Sequence, residues 1–191
     1  DNGESVVIKH NELLNDLGRS WDFWQGKIAG TLTIEENAML SQIKGLGGVF
    51  TIGGGLVVSG NDNLDDLDGL GSVHTVGADS ARKSLYIVNN RNLKSIADLK
   101  DLQGALSGAI DISGNANLLT LDGLNKVLHI GKDTKGVSIN IADNAQLSDL
   151  SGLNNVQGKV DGSIVVMLNP QLHVLAGLQK ISEVGADASG N

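Results

Sequence analysis

The stretch IDISGNANLLTLDGLNKVLHI, residues 110–130, decides the architecture. With Asn115 as position zero, apolar residues fall at −5, −3, +3, +6, +9, +12 and +15, and Gly123 stands at +8. The same frame recurs around Asn11, Asn37, Asn61, Asn90, Asn144 and Asn169, which makes seven copies. Successive reference asparagines are 26, 24, 29, 25, 29 and 25 residues apart. Self-similarity at such a period is the signature of a solenoid. Short and long copies alternate from the second onward, as expected of a duplicated two-coil unit.

Each copy carries an inward pair at −5 and −3: Val6/Ile8, Leu32/Ile34, Leu56/Val58, Leu85/Ile87, Ile110/Ile112, Ile139/Ile141 and Ile164/Val166. A period of two with β-branched residues predicts a short strand. After the Asn, apolar residues recur every three positions, as in Asn37, Leu40, Ile43 and Asn144, Leu147, Leu150. That spacing suits turns or a 3₁₀-like arc. The arc closes on a Gly-Leu pair, at Gly45, Gly69, Gly123, Gly152 and Gly177, where Gly is free to take positive φ. Pairs such as Val49/Ile52, Val73/Val76 and Val127/Ile130 predict a second short strand. No coil can bury so many inward residues alone. Stacked coils can, with parallel strands about 4.8 Å apart. The fold class is therefore mainly β, a right-handed parallel β-solenoid of about seven coils with short helical or 3₁₀ turns. It forms one domain over 1–191: an atypical N-terminal capping coil (1–30), six regular coils (31–184), and a truncated start of a further coil or a linker (185–191).

The repeated Asn has two readings, a polar ligand row or a ladder inside the turn. An amide side chain both donates and accepts, so stacked copies can satisfy the backbone of neighbouring coils. Recurrence of Asn11, Asn37, Asn61, Asn90, Asn115, Asn144 and Asn169 at one frame position, whatever surrounds them, favours the structural ladder.

The pattern I-x-x-N-x-x-L-x-x-L-x-G-L-x-x-V resembles the receptor L-domain family, the leucine-rich-repeat-like β-solenoids that bind ligand in growth-factor and insulin receptors, with relatives in fungal cell-wall proteins. The resemblance runs from about Val6 to Val184 and carries no catalytic motif. It implies an extracellular or cell-surface module that binds a partner or builds structure.

Composition narrows the function classes. The chain has 191 residues, 40% of them hydrophobic and 19% charged, so it can bury a sizeable core. A net charge of −8 argues against nucleic acid, because no cation cluster neutralises phosphates. No run reaches the roughly 18 apolar residues that span a bilayer. Cysteine is absent, which removes disulfides and thiolate metal sites. The motif H-E-x-x-H, the motif G-x-S-x-G and a phosphate-binding Gly loop are all missing. No cofactor or metal is expected. His74 and His129 hold similar frame positions two coils apart, roughly 10 Å, too far for one metal. The loop aspartates, one each, fall short of a Ca²⁺ site.

Function is then sought where the repeat is irregular. Trp21, Phe23 and Trp24 crowd the first coil, as a plug for the solenoid end or as a stacking platform for a sugar. The long coils insert polar loops at 77–83 and 131–136, and a third stands at 185–190. They should leave one edge about 10 Å apart and present Arg82, Lys83, Lys132, Asp133 and Lys135. Outward strand positions put Val57, Tyr86 and Val88 together, an apolar patch fit for a partner. Absence of a Thr-x-Thr row weakens an ice-binding reading, and lone outward carboxylates such as Asp111 and Asp143 give a glycosidase little support. The leading expectation is a non-enzymatic recognition or scaffold module binding a protein or glycan. The alternative is a structural subunit that stacks end to end on further copies or on other domains of a longer chain. A carbohydrate-active enzyme is the remote third.

Overall fold

The computed structural model describes residues 4–18 and 25–190. Strands β1 (Glu4–Lys9), β3 (Thr31–Glu35), β5 (Leu56–Ser59), β7 (Lys83–Val88), β9 (Ala109–Ser113), β11 (Val137–Ala142) and β13 (Ser163–Met167) form one parallel sheet in that spatial order. The register follows the repeat, since Val6, Leu32, Leu56, Leu85, Ile110, Ile139 and Ile164 lie side by side across it. The second strands make three smaller sheets: β2 (Gln25–Ile28) with β4 (Gly48–Ile52) and β6 (Thr75–Val76), β8 (Gln103–Leu106) with β10 (Lys126–Ile130), and β12 (Gly158–Val160) with β14 (Ile181–Val184). Single hydrogen bonds, Gln103 N–H to His74 O and Gln157 N–H to Leu128 O, carry the stacking across the two gaps. The protein is a β-solenoid of about seven turns.

Between the two strands the chain bends in steps of three. Leu118 N–H donates to Asn115 O, Leu124 to Leu121 O, and Val127 to Leu124 O. The same bonds recur in the other coils, and in three of them the turns lengthen into 3₁₀ helices at Lys44–Leu46, Ala97–Asp101 and Ser151–Leu153. One i→i+3 bond per three residues is why the apolar spacing is three: each leucine sits at a corner of the arc and points in. The core is one aliphatic column in which Leu32, Ile34, Leu40, Ile43, Leu118 and Leu121 have no exposed surface. At Gly123 a Cβ would stand 2.1 Å from Ile96 O of the coil below, and φ is +113°. There the arc of one coil rests directly on the backbone of the previous one, and only Gly fits. Gly45 and Gly152 instead lie inside 3₁₀ turns with no positive φ, so the Gly-Leu pair does not demand positive φ in every copy.

The seven asparagines stack as a hydrogen-bonded row. The backbone N–H of each one from Asn11 to Asn144 donates to Oδ1 of the next, at 2.9–3.1 Å. Nδ2 of Asn37, Asn61, Asn90, Asn115, Asn144 and Asn169 donates to a strand carbonyl of the coil before it, such as Ile87 O for Asn115 at 2.8 Å. The residue preceding every Asn is left-handed: His10, Glu36, Gly60, Asn89, Gly114, Asp143 and Leu168, with φ from +53° to +70°. It turns the strand sharply so that the Asn enters the column. A second polar row uses Ser5, exposed at the first coil, and the buried Thr31, Ser84 and Ser138, whose hydroxyls accept the N–H of Gly30, Gly55, Gly108 and Gly162 in the following coil. No side-chain N or O is buried without a partner among the described residues.

Two stability predictions follow from this packing. Replacing Asn115 with Leu strands the Asn90 N–H and the Ile87 carbonyl in a buried site, at about 1–3 kcal/mol each. In urea titration Asn115→Leu should lose about 3 kcal/mol or more, and the same change at exposed Asn11 under about 1 kcal/mol. Leu168 holds a left-handed conformation that costs an L-residue about 1–2 kcal/mol, with its side chain 67% exposed. Leu168→Asn, the residue type already used at position 89, should raise stability by about 0.5–1 kcal/mol in the same assay.

Candidate functional site

Outward side chains of the seven-stranded sheet are strapped together across strands. Lys83 Nζ lies 2.8 Å from Asp111 Oδ2 and 4.2 Å from the Tyr86 ring centre. Asp111 Oδ1 also accepts from Ser113 Oγ and from Asn140 Nδ2, which joins three strands. Nearer the first coil, Lys9 and Ser59 both reach the Glu35 carboxylate. An ammonium over a phenol face gains about 0.5–1 kcal/mol at a half-exposed site and fixes the ring in place. Val57 and Tyr86 are register partners and half-buried. Val88 is 8% exposed and presents no apolar surface, so the patch reduces to Val57 and Tyr86. Beside them Thr33, Glu35, Val57, Asp79 and Ser80 border a shallow cleft of about 290 Å³. Asp111 spends both carboxylate oxygens on Lys83, Ser113 and Asn140.

The loops at 77–83 and 131–136 share one construction. Asp79 Oδ1 accepts from Lys83 N–H, and Asp133 Oδ1 accepts from both Lys135 and Val137 N–H. Asp187 does the same for Ser189 N–H in the third loop. These carboxylates shape the loops, and Asp133 is buried at 8% exposure. The loops do not stand 10 Å apart as separate fingers. Thr134 N–H donates to Ala81 O and Ala188 N–H to Lys135 O, so they join into one ridge. The reason is Gly at the short coil between them: a Cβ on Gly108 would be 2.3 Å from Arg82 O, and one on Gly162 2.1 Å from Gly136 O. Arg82 takes φ +62° where the next two loops have Gly136 and Gly190.

The ridge gathers three cations that lie on no carboxylate, whereas the other such cations among the described residues, Lys27, Arg91, Lys100 and Lys180, stand elsewhere in the sequence. Lys9, Lys44, Lys83, Lys94, Lys126 and Lys159 each lie on a carboxylate. Arg82, Lys132 and Lys135 have no carboxylate partner within 4 Å among the described residues. Trp21 and Trp24 fall outside the described residues.

A feature the sequence reading missed lies on the arc side, where positions +4 and +5 of neighbouring coils line a polar cleft of about 570 Å³ with Ser41, Gln42, Asp65, Asp66 and Lys94. The signal was present as a run of polar residues at those positions, but outward polar residues on an arc look like ordinary solvated surface. Close by, burial and then the charges of Asp66 and Asp68 hold the Asp98 carboxyl above its usual range. Ionised Asp98 therefore opposes folding at neutral pH, and the penalty disappears below the ordinary carboxylate range. Asp98→Asn should raise Tm at pH 7, with the gain shrinking toward zero as the pH falls through the carboxylate range. Equal gains at pH 7 and pH 3 would contradict this origin.

A family model described as Receptor L domain matches residues 26–130. Comparisons with curated proteins and with solved structures gave no match. The family is typically extracellular, and its modules bind ligands and are not enzymes. With more than half of the chain matched and the repeat continuing on the same register to Val184, the protein belongs to the Receptor L domain family.

Proposed function

We propose that this solenoid is a non-enzymatic recognition module, working outside the cell or at its surface, that binds a protein or glycan carrying negative charge. The contact surface is the loop ridge with Arg82, Lys132 and Lys135, continued by Val57 and Tyr86 on the adjoining sheet face. The observation that carries the reading is the charge arrangement. On a chain of net charge −8, seven described cations have no carboxylate within 4 Å, and three of them, Arg82, Lys132 and Lys135, are gathered on two loops that a backbone hydrogen bond joins. The loop aspartates accept backbone N–H groups of their own loops, while Arg82 and Lys135 stand exposed and Lys132 half-exposed. Tyr86 and Val57 supply the apolar ground that sugar faces and protein side chains pack on. An Arg and two Lys side chains on a rigid ridge attract carboxylate or sulfate groups with a salt-dependent energy.

The reading is tested on an array of neutral and acidic glycans together with extracellular protein domains. Binding should concentrate on acidic members and weaken as salt rises. The combined change of Arg82, Lys132 and Lys135 to Glu should cut affinity at least tenfold with Tm unchanged, and Tyr86→Ala should cut it several-fold with a small loss of Tm from the lost Lys83 contact. A partner that binds both variants as it binds the wild type would place the contact elsewhere.

A further inference from the structure

Along the arc the coils are joined by a row of backbone hydrogen bonds at position +4. Ser41 N–H donates to Asn15 O, Lys94 to Asp65 O, Leu119 to Lys94 O, Ser148 to Leu119 O and His173 to Ser148 O. One joint breaks the row. Between the second and third coils the Asp65 N–H donates to no described residue, and no described residue donates to the Ser41 carbonyl. The two coils do meet on either side of this gap. Asn37 N–H donates to Asn61 Oδ1 at 3.1 Å, and a Cβ on Gly69 would stand 2.1 Å from Ile43 O. The stack is closed at the Asn row and at the glycine, and open between them.

The polar cleft of about 570 Å³ lies over this open joint, with Ser41 and Asp65 both in its lining. Its other side chains keep hydrogen-bonding capacity in hand. The Gln42 amide bonds to no described residue. Asn63 gives its Nδ2 to Met39 Sδ at 3.8 Å and keeps its oxygen. Asn92 accepts from Asn117 on its oxygen and keeps its amide hydrogens. Asp66 spends one carboxylate oxygen on Asp68 N–H. The charges of the lining cancel, with Lys44 and Lys94 against Asp65 and Asp66. Apolar surface stands beside it: Met39 is 51% exposed and touches Asn63, and Leu119 is 52% exposed and follows Lys94 in the row.

This chemistry selects among ligands. An unpaired N–H beside an unpaired C=O calls for a group that accepts and donates at once, and a hydroxyl does both. A carboxylate only accepts and an ammonium only donates, and a charge-balanced lining draws neither sign. The volume is that of a small-molecule site. We infer that the arc cleft binds a neutral sugar, free or as a unit of a glycan. One hydroxyl bridges Ser41 O and Asp65 N–H, neighbouring hydroxyls meet Gln42, Asn92 and Asp66, and a C–H face lies on Met39. The site is separate from the loop ridge and does not rest on it. The arc of this coil runs between β5 and β6, whereas the loop at 77–83 follows β6.

The test is a titration of ¹⁵N-labelled protein with glucose, galactose and mannose and with neutral disaccharides built from them, followed by amide NMR. At least one sugar should shift the Asp65 backbone signal and the Gln42 and Asn92 side-chain signals together and saturably, and should slow exchange of the Asp65 amide hydrogen. A ligand held by a few hydrogen bonds of modest net worth should bind in about the millimolar range. Gln42→Ala combined with Asn92→Ala should weaken it about tenfold with Tm unchanged, since two such bonds are lost. The variant with Arg82, Lys132 and Lys135 changed to Glu should bind the sugar as the wild type does, so failure of the ridge leaves this result standing. A disaccharide that binds more tightly than its monosaccharide marks a glycan unit, and equal binding marks a free sugar. The proposal is overturned if no sugar moves the Asp65 signal up to about 100 mM, far above the expected range. It also fails if the double variant binds as the wild type does, or if the shifts gather at Val57 and Tyr86 instead.

Discussion

The hydrogen bond from one asparagine's backbone N–H to the next asparagine's Oδ1 is the contact on which the solenoid depends. A strand that turns inward brings polar backbone into a column of leucine and isoleucine. Leaving those groups unpaired would cost more than one coil gains from its apolar residues. The amide solves this from inside: its oxygen takes the N–H of the coil before, and its nitrogen reaches that coil's strand carbonyl. Because donor and acceptor lie on successive coils, the bond also sets their spacing and registers the leucines on one another. The left-handed residue just before it belongs to the same device. Without so tight a turn the amide would not reach the column, which is why Leu168 occupies a conformation it disfavours.

With the inner positions fixed in this way, the outer positions are free to vary, and they do so without disturbing the stack. The sheet face changes from a Lys–Glu pair at the first coils to the Lys83–Asp111–Asn140 strap at the middle and to Val165 and Met167 at the end. Every one of these sits on a strand whose inward neighbours keep the repeat. The long loops exploit the same freedom at one edge. Their meeting depends less on their own residues than on Gly108 and Gly162 in the short coils, which leave no Cβ between them. A ridge made this way is rigid, since backbone hydrogen bonds join the loops, and a rigid ridge loses little entropy when a partner settles on it.

The sequence revealed what repeats and hid what depends on contact between coils. Inward pairs, arc spacing, the second strands and the shared register were all legible, because burial imposes one residue class at one interval. The buried Thr31, Ser84 and Ser138 were not, because a hydroxyl at a strand start reads as surface until its Gly donor is seen one coil away. The left-handed row was hidden for a related reason: His, Glu, Gly, Asn, Asp and Leu share that position, and the conformation comes from the Asn that follows. Among candidate contact residues, Asp133 and Val88 looked as available as Lys132 and Tyr86. Only the fold shows that one carboxylate is spent on its own loop and that one valine lies beneath the surface.

A fold built by translation differs from a closed domain in a further respect. In a closed domain the core is sealed on all sides, and stability grows with the number of buried residues. In a stack each coil is sealed by the next, so the last coil is always short of one neighbour. The cost falls on the same positions in every such protein: the −5 and −3 pair, the arc leucines and the final donor of the polar row. In the coil that runs to Val184 the corresponding positions are Ile164, Val166, Leu172, Leu175, Leu178 and the Asn169 N–H. None has been replaced by a charged residue, a proline or a bulge, the devices that make an edge refuse partners. Pro170 lies one residue past the Asn and so removes no bond from the row that Asn169 ends. The outer side of this coil therefore keeps the chemistry of an interior coil surface, apolar at the corners and polar only where the asparagine row passes.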